Sequence, residues 1–261
     1  IFAAAGKRIY EFDLRKESVL LTKFERKFVF NSDDINQICL NHKGTLLAAC
    51  DDSGAIQVVD IQSKEGKTIK ELKNDNICMS VQFRPRKVWE VASANMEMEN
   101  AVVQWDFNRG RVMKRYPTSF EAKNKDEKQL VNPPFANSLS FSRDGQFVAV
   151  GLGSGSIGLY DFTNKSCVGC LDGHSSSVCQ VEFPAFGEGD ELISAGNDKI
   201  VALWDIQKMI RKGKAQEQAA AEPKSRIRLK EKPNWVASTS LNQPTICIAD
   251  CSNSIKCWQI R

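Results

Sequence analysis

Five times along its 261 residues this chain closes an apolar stretch on an aspartate, and a sixth time on a glutamine: FDL at 12–14, VDI at 59–61, WDF at 105–107, YDF at 160–162, LWDI at 203–206 and WQI at 258–260. The anchors Asp13, Asp60, Asp106, Asp161, Asp205 and Gln259 lie 47, 46, 55, 44 and 54 residues apart. Spacing of that kind marks an array of like supersecondary units. Each is too small to bury its apolar face alone, so neighbours must stack to form a core.

Within each unit the apolar residues alternate with period two, as half-buried strands require. In the clearest unit, SVCQVEF at 177–183 reads as one strand, with Val178, Gln180 and Glu182 on one face and Cys179, Val181 and Phe183 on the other. ELISAG at 191–196 reads as a second strand, Gly196-Asn197-Asp198 as a turn and IVALWDI at 200–206 as a third strand. The same rhythm recurs at 35–61, 77–107, 136–162 and 234–260, and a fourth strand is expected after several endings, at 68–72, 111–115 and 167–171. The whole of 1–261 is therefore expected to be one all-β domain. Residues 1–15 are expected to be a partial unit, and 121–129 and 208–232 surface insertions, because their polar, charged composition offers little to bury.

Composition narrows the class. No apolar run approaches the ~20 residues of a membrane-spanning helix, and IFAAAG at the start lacks the basic region of a secretion signal. Nine cysteines, an odd number lying mostly within apolar strands, fit buried thiols in a reducing compartment, so cytoplasm or nucleus is expected. The net charge of +4 is uneven: 208–232 carries nine Lys or Arg against three Glu, which leaves the remainder slightly acidic.

Several motifs invite chemical readings. His174, Ser194 and Asp198 are the residue types of a hydrolase triad, but no Gly-x-Ser-x-Gly elbow joins a strand to a helix. Gly153 to Gly158 matches G-x-G-x-x-G, yet a strand-like IGLYDF follows where a phosphate-binding loop needs a helix, so a tight turn is expected. Cys167-Val168-Gly169-Cys170 has no second ligand pair at zinc-site spacing. His42, in NHKG, reads as a solvated turn. The expectation is no enzyme, no metal and no cofactor.

The run Asp172-Gly173-His174, continuing through Ser194 and Asp198 to Trp204-Asp205, resembles the WD40-repeat family, and the resemblance extends weakly over the whole chain. It implies an all-β, seven-bladed WD40 β-propeller acting as a monomeric platform for proteins, with about one and a half blades of ~40–45 residues missing before Ile1. It also implies that His174, Ser194, Asp198 and Trp204 form a buried structural tetrad. Many relatives resemble substrate receptors of cullin-4 RING ubiquitin ligases, which meet the DNA-damage-binding adaptor through a Trp-Asp-x-Arg box. Phe12-Asp13-Leu14-Arg15 keeps the Asp and Arg of that box but has Phe for Trp, so Asp13 and Arg15 are the candidate partner contacts. The alternative reading is a nucleic-acid- or chromatin-associated module acting through the basic 208–232 segment, with Arg211, Lys212 and Lys214 as contacts.

Overall fold

The computed structural model describes residues 1–15, 23–99, 101–118, 133–187, 189–212 and 222–260. The expected insertion at 121–129 lies outside them. The chain forms two compact units, Ile1–Met96 with Val103–Met113, and Glu97–Val102 with Lys114–Arg261.

Among the described residues the strands build six antiparallel sheets. In the first unit lie β1 (Phe2–Ala5), β2 (Arg8–Glu11) and β3 (Arg26–Phe28), followed by β4 (Ile35–Leu40), β5 (Leu46–Asp51), β6 (Ala55–Asp60) and β7 (Lys67–Lys73). The third sheet comprises β8 (Cys78–Phe83), β9 (Glu90–Asn95), β10 (Val102–Asp106) and β11 (Arg111–Tyr116). The second unit holds β12 (Ala136–Phe141), β13 (Phe147–Leu152), β14 (Ser156–Asp161) and β15 (Ser166–Asp172). The fifth sheet is β16 (Val178–Glu182), β17 (Glu191–Gly196), β18 (Ile200–Asp205) and β19 (Ser225–Arg228), and the sixth is β20 (Pro233–Thr239), β21 (Thr245–Asp250) and β22 (Ile255–Gln259).

This corrects the expected blade count. The described residues form six blades, not the seven expected. The opening sheet runs on past residue 15, because β3 pairs Arg26, Lys27 and Phe28 with Glu11, Tyr10 and Ile9. The spacing of Asp endings fixes the period but not the number of blades, which follows from strand pairing.

A second departure concerns the first strand of each later sheet. Its pairing slips by one residue between Ile35 and Gln37, Cys78 and Ser80, Ala136 and Ser138, Val178 and Gln180, and Pro233 and Trp235. Such a bulge sets two residues against one and re-aims a side chain. Val178 therefore packs with Val181 and Phe183 in one apolar cluster, against the alternation expected from sequence, and Cys179 packs in the next cluster.

The re-aimed second residue bridges to the following sheet. Asn36 Nδ2 donates to the Cys78 carbonyl at 3.1 Å, Asn137 Nδ2 to that of Val178 at 3.0 Å, and the Cys179 thiol to that of Pro233 at 3.2 Å. The third residue accepts: Gln37 Oε1 from Val81 N–H at 2.8 Å, and Ser138 Oγ from Val181 N–H at 3.0 Å. The fifth does likewise, with Ser140 Oγ accepting from Phe183 N–H at 3.0 Å and Glu182 Oε1 from Ser238 N–H at 2.9 Å. Polar groups between stacked sheets are thereby satisfied, as burial demands.

The described residues of the basic segment 208–232 include a helix end and a strand. Gln207–Lys212 forms a short helix, α1, whose Met209 and Ile210 pack against the apolar cluster shared by the fourth and fifth sheets. Ser225–Arg228 is β19, paired with β18, and Leu229 is buried beside it.

Candidate functional site

Two kinds of place were expected to matter: the tetrad of the fifth sheet and the exposed charges of Asp13–Arg15 and 208–232. The tetrad is assembled from two strands and two connections. His174 lies on the approach to β16, Ser194 on β17 and Trp204 on β18, while Asp198 sits in the β17–β18 turn. His174 Nδ1 lies 3.0 and 3.1 Å from the two Asp198 carboxylate oxygens, and Nε2 lies 2.7 Å from Ser194 Oγ. The Trp204 indole N–H donates to the same Oγ at 2.7 Å.

With a carboxylate at Nδ1, that nitrogen carries the hydrogen, Nε2 accepts from the Ser194 hydroxyl, and Ser194 in turn accepts from Trp204. Asp198 also takes the Ser175 and Ile200 backbone N–H groups at 3.0 and 3.2 Å. Every member is committed to another. Ser194 is 0 % exposed and Trp204 1 %, so no substrate carbonyl can reach the hydroxyl. The Ser-His-Asp chain is geometrically that of a hydrolase, but sealed.

Two glycines make this closeness possible, Gly173 beside His174 and Gly196 in the turn that holds Asp198. A Cβ on Gly173 would lie 2.4 Å from the Trp204 ring, and one on Gly196 would lie 2.4 Å from His174 Nδ1 and 2.6 Å from Asp198 Oδ1.

The degenerate units carry substitutes that a search for His overlooks. In the third sheet Trp105 donates to Ser93 Oγ at 3.0 Å, and Ser93 Oγ donates to Asn74 Oδ1 at 3.3 Å. Asn74 Nδ2 then donates to the Gly54 carbonyl at 3.2 Å. In the second sheet the buried carboxylate is Asp51 and not its exposed neighbour Asp52. It accepts from Asn31 Nδ2, Ser53 N–H and Ala55 N–H, each at 3.0 Å. In the fourth sheet Tyr160 stands in the Trp position and donates its hydroxyl to the Pro117 carbonyl at 2.8 Å.

The other motifs resolve into packing. After Gly153 and Gly155 comes β14, a strand. A Cβ on Gly153 would meet the Pro133 carbonyl oxygen at 2.2 Å, and Gly155, at φ +91°, would place one 2.5 Å from that of His174. Burial raises the thiol pKa of both Cys167 and Cys170, against the thiolate form that metal binding needs. Both His174 nitrogens are occupied, and among the described residues no group of three or more His, Cys, Asp or Glu is placed to hold a metal. His42 is exposed in a turn.

At the surface, Asp13 grips Arg15 with both carboxylate oxygens, Nε to Oδ1 at 2.8 Å and Nη2 to Oδ2 at 2.7 Å, while the Arg15 side chain stays 90 % exposed. Lys214 lies outside the described residues, and of Arg211 and Lys212 only the backbone, at the end of α1, is described. A second basic row was not singled out. On the strand β19 and just after it, Arg226, Arg228 and Lys230 alternate with the inward Ile227 and Leu229 and are all exposed.

Comparison with known proteins agrees with this architecture. The family model "WD domain, G-beta repeat" (WD40) matches residues 165–205, which span β15 to β18, so the sequence repeat is offset by one strand from the structural blade. The chain is 29% identical over 284 residues to the WD repeat-containing protein 53 homolog of Dictyostelium discoideum, covering 100% of this chain and 77% of that protein. It is 31% identical over 104 residues to the WD repeat-containing protein 55 homolog of Aedes aegypti, covering 39% of this chain and 22% of that one. Among solved structures, the β-propeller domain of Cps50 (Swd1) from Myceliophteria thermophila matches with a TM-score of 0.75 over 99% of this chain and 79% of that chain, at 14% identity, which is a likeness of fold.

Proposed function

We propose, on the premise that this is a WD40-repeat β-propeller chain, that it is a non-catalytic platform for binding other proteins. The observation that carries this reading is the fate of the reactive residue types: His174, Ser194 and Asp198 are consumed in a sealed hydrogen-bond chain. Propellers of this kind present the loops of a rigid frame as contact surface.

The finer reading is that of a substrate receptor for a cullin-4 RING ubiquitin ligase, with Asp13 and Arg15 meeting the adaptor. In its support, the Asp13 fork holds the Arg15 guanidinium in one orientation with its outer edge in solvent. A pre-positioned guanidinium forms bidentate bonds to carboxylates at lower entropic cost than a free one. Affinity purification from cells of wild-type protein and Arg15→Ala tests this. The adaptor is expected with the wild type and lost from the variant; its absence from both, or its retention by the variant, overturns the receptor reading.

A second reading rests on the exposed row Arg226, Arg228 and Lys230, which would face a polyanion such as nucleic acid. Because β19 is a strand of the fifth sheet, its charges are better neutralised than deleted. Binding of duplex DNA that falls steeply with salt, and is lost on changing all three to Gln, is expected on this reading; a flat salt response overturns it.

A further inference from the structure

We propose that Cys247 and Cys257 are a reversible disulfide-forming site, taking low-molecular-weight disulfides such as glutathione disulfide as oxidant. The two residues are direct cross-strand partners on β21 and β22, and their sulfurs lie 3.2 Å apart. That is a thiol–thiol contact, one side-chain adjustment short of the ~2.0 Å bond.

Their position in the ladder is the one a disulfide needs. Ile260 N–H donates to the Pro244 carbonyl at 2.8 Å, which makes 244/260 a hydrogen-bonded pair. Counting by twos, 246/258 and 248/256 are hydrogen-bonded and Cys247/Cys257 is not. Non-hydrogen-bonded pairs bring Cα atoms to about 4.5 Å with the side chains close, inside the range a disulfide spans. No other directly opposed strand pair described here is cysteine on both sides.

The site is open to solutes. Ile246 and Ile248 point into the apolar cluster shared with the fifth sheet, so Cys247 and Cys257 stand on the opposite face. Cys257 is exposed, as is Ile255 on the same face, and Cys247 is half-buried. The remaining thiols divide otherwise. Cys50, Cys78 and Cys170 are buried, Cys39 and Cys179 are half-buried, and Cys167 and Cys251 are exposed, the Cys251 sulfur lying 3.7 Å from the Asn234 side-chain oxygen.

The chemistry balances. The Cys257 thiolate attacks one sulfur of glutathione disulfide, breaking its S–S bond and releasing one glutathione. The Cys247 thiolate then attacks the Cys257 sulfur, forming the protein disulfide and releasing the second glutathione. The protein loses two electrons and two protons, and glutathione disulfide gains them. The product ties β22, which in the described residues pairs only with β21, to its neighbour.

The full chain is treated with glutathione disulfide, labelled with a maleimide and digested without reduction. The expected result is a linked peptide joining Cys247 to Cys257, with maleimide labelling of Cys257 reduced about tenfold while Cys251 either keeps its label or carries only glutathione. Reduction with dithiothreitol restores the label. In Cys247→Ser, glutathione is expected to remain on Cys257 for want of the second thiol, and Cys247→Ala serves if the serine variant does not fold. Stable glutathionylation of wild-type Cys257 with no linked peptide, or unchanged labelling of Cys257, overturns the proposal.

Discussion

Trp204 and Ser194 meet at 2.7 Å, indole N–H to hydroxyl oxygen, in a part of the fifth sheet where both are at most 1 % exposed. The hydroxyl thus spends its acceptor capacity on a tryptophan and its hydrogen on His174. The same three residue types that would make a nucleophile elsewhere make a rivet here.

Substitution of Trp204 separates the two contributions of that side chain. Trp204→Phe keeps most of the ring volume but strips Ser194 of its donor, which should cost about 1–3 kcal/mol. Trp204→Ala adds the cavity and should cost about 3–5 kcal/mol. Thermal melts should rank them in that order, at about 2–4 °C per kcal/mol for a chain this long. A Trp204→Phe variant that melts with the wild type would mean that the hydrogen bond contributes nothing.

Gly196→Ala should destabilise through contact alone. Its Cβ would press on His174 Nδ1 and Asp198 Oδ1 at 2.4 and 2.6 Å, and neither can retreat without losing the other. Overpacking of this kind costs about 1–3 kcal/mol. Gly44→Ala is the comparison: nothing lies within 4 Å of its Cβ, so only the strain of φ +65° remains, about 1 kcal/mol. Denaturant midpoints that place the two variants level would refute the close-approach account.

Asn74→Ala should behave as a tetrad mutation although no histidine is involved. It removes the acceptor of Ser93 and the side-chain donor to Gly54, at a cost of about 1–3 kcal/mol. In a double-mutant cycle with Ser93→Ala the two losses should be non-additive by about 0.5 kcal/mol or more. Strict additivity would show that the Trp105–Ser93–Asn74 chain is not a unit.

Asp250 gives the sixth sheet a defined acid response. Hydrogen bonds from Lys256 Nζ and then from Ser252 hold its carboxyl down at about 2. The folded pKa is below the ordinary value near ~3.9, so the stabilisation is complete above that pH and is lost as pH falls toward 2. The melting temperatures of wild type and Asp250→Asn should therefore differ most near neutrality and converge as pH is lowered from about 5 to 2. A gap that persists at the acid end would contradict this linkage.

Strand positions were legible because alternation and turn residues are local. The three-strand rhythm expected at 35–61 matches β4 to β6, Ile35 to Asp60, and that at 136–162 matches β12 to β14, Ala136 to Asp161. The grouping of His174, Ser194, Asp198 and Trp204 was legible only by resemblance, since nothing local says that residues 30 apart in sequence touch. The Asn74 substitute was hidden because Asn offers the same acceptor as an imidazole nitrogen in a different residue type. The blade count was hidden because it depends on which strands pair. The facing of Val178 was hidden because one bulged residue inverts the alternation from which faces are read.

That bulge has a consequence for how such repeats diverge. Asn36, Asn137 and Cys179 each reach a backbone carbonyl, and the residues offering it are Cys78, Val178 and Pro233. A main-chain oxygen is the same whatever side chain it carries. Only the donor half of each joint depends on residue type, and the acceptor half can be any residue, even proline. Neighbouring units can thus lose sequence likeness to one another while the joint between them is kept, and a donor lost in one unit should weaken the unit that follows it in the chain.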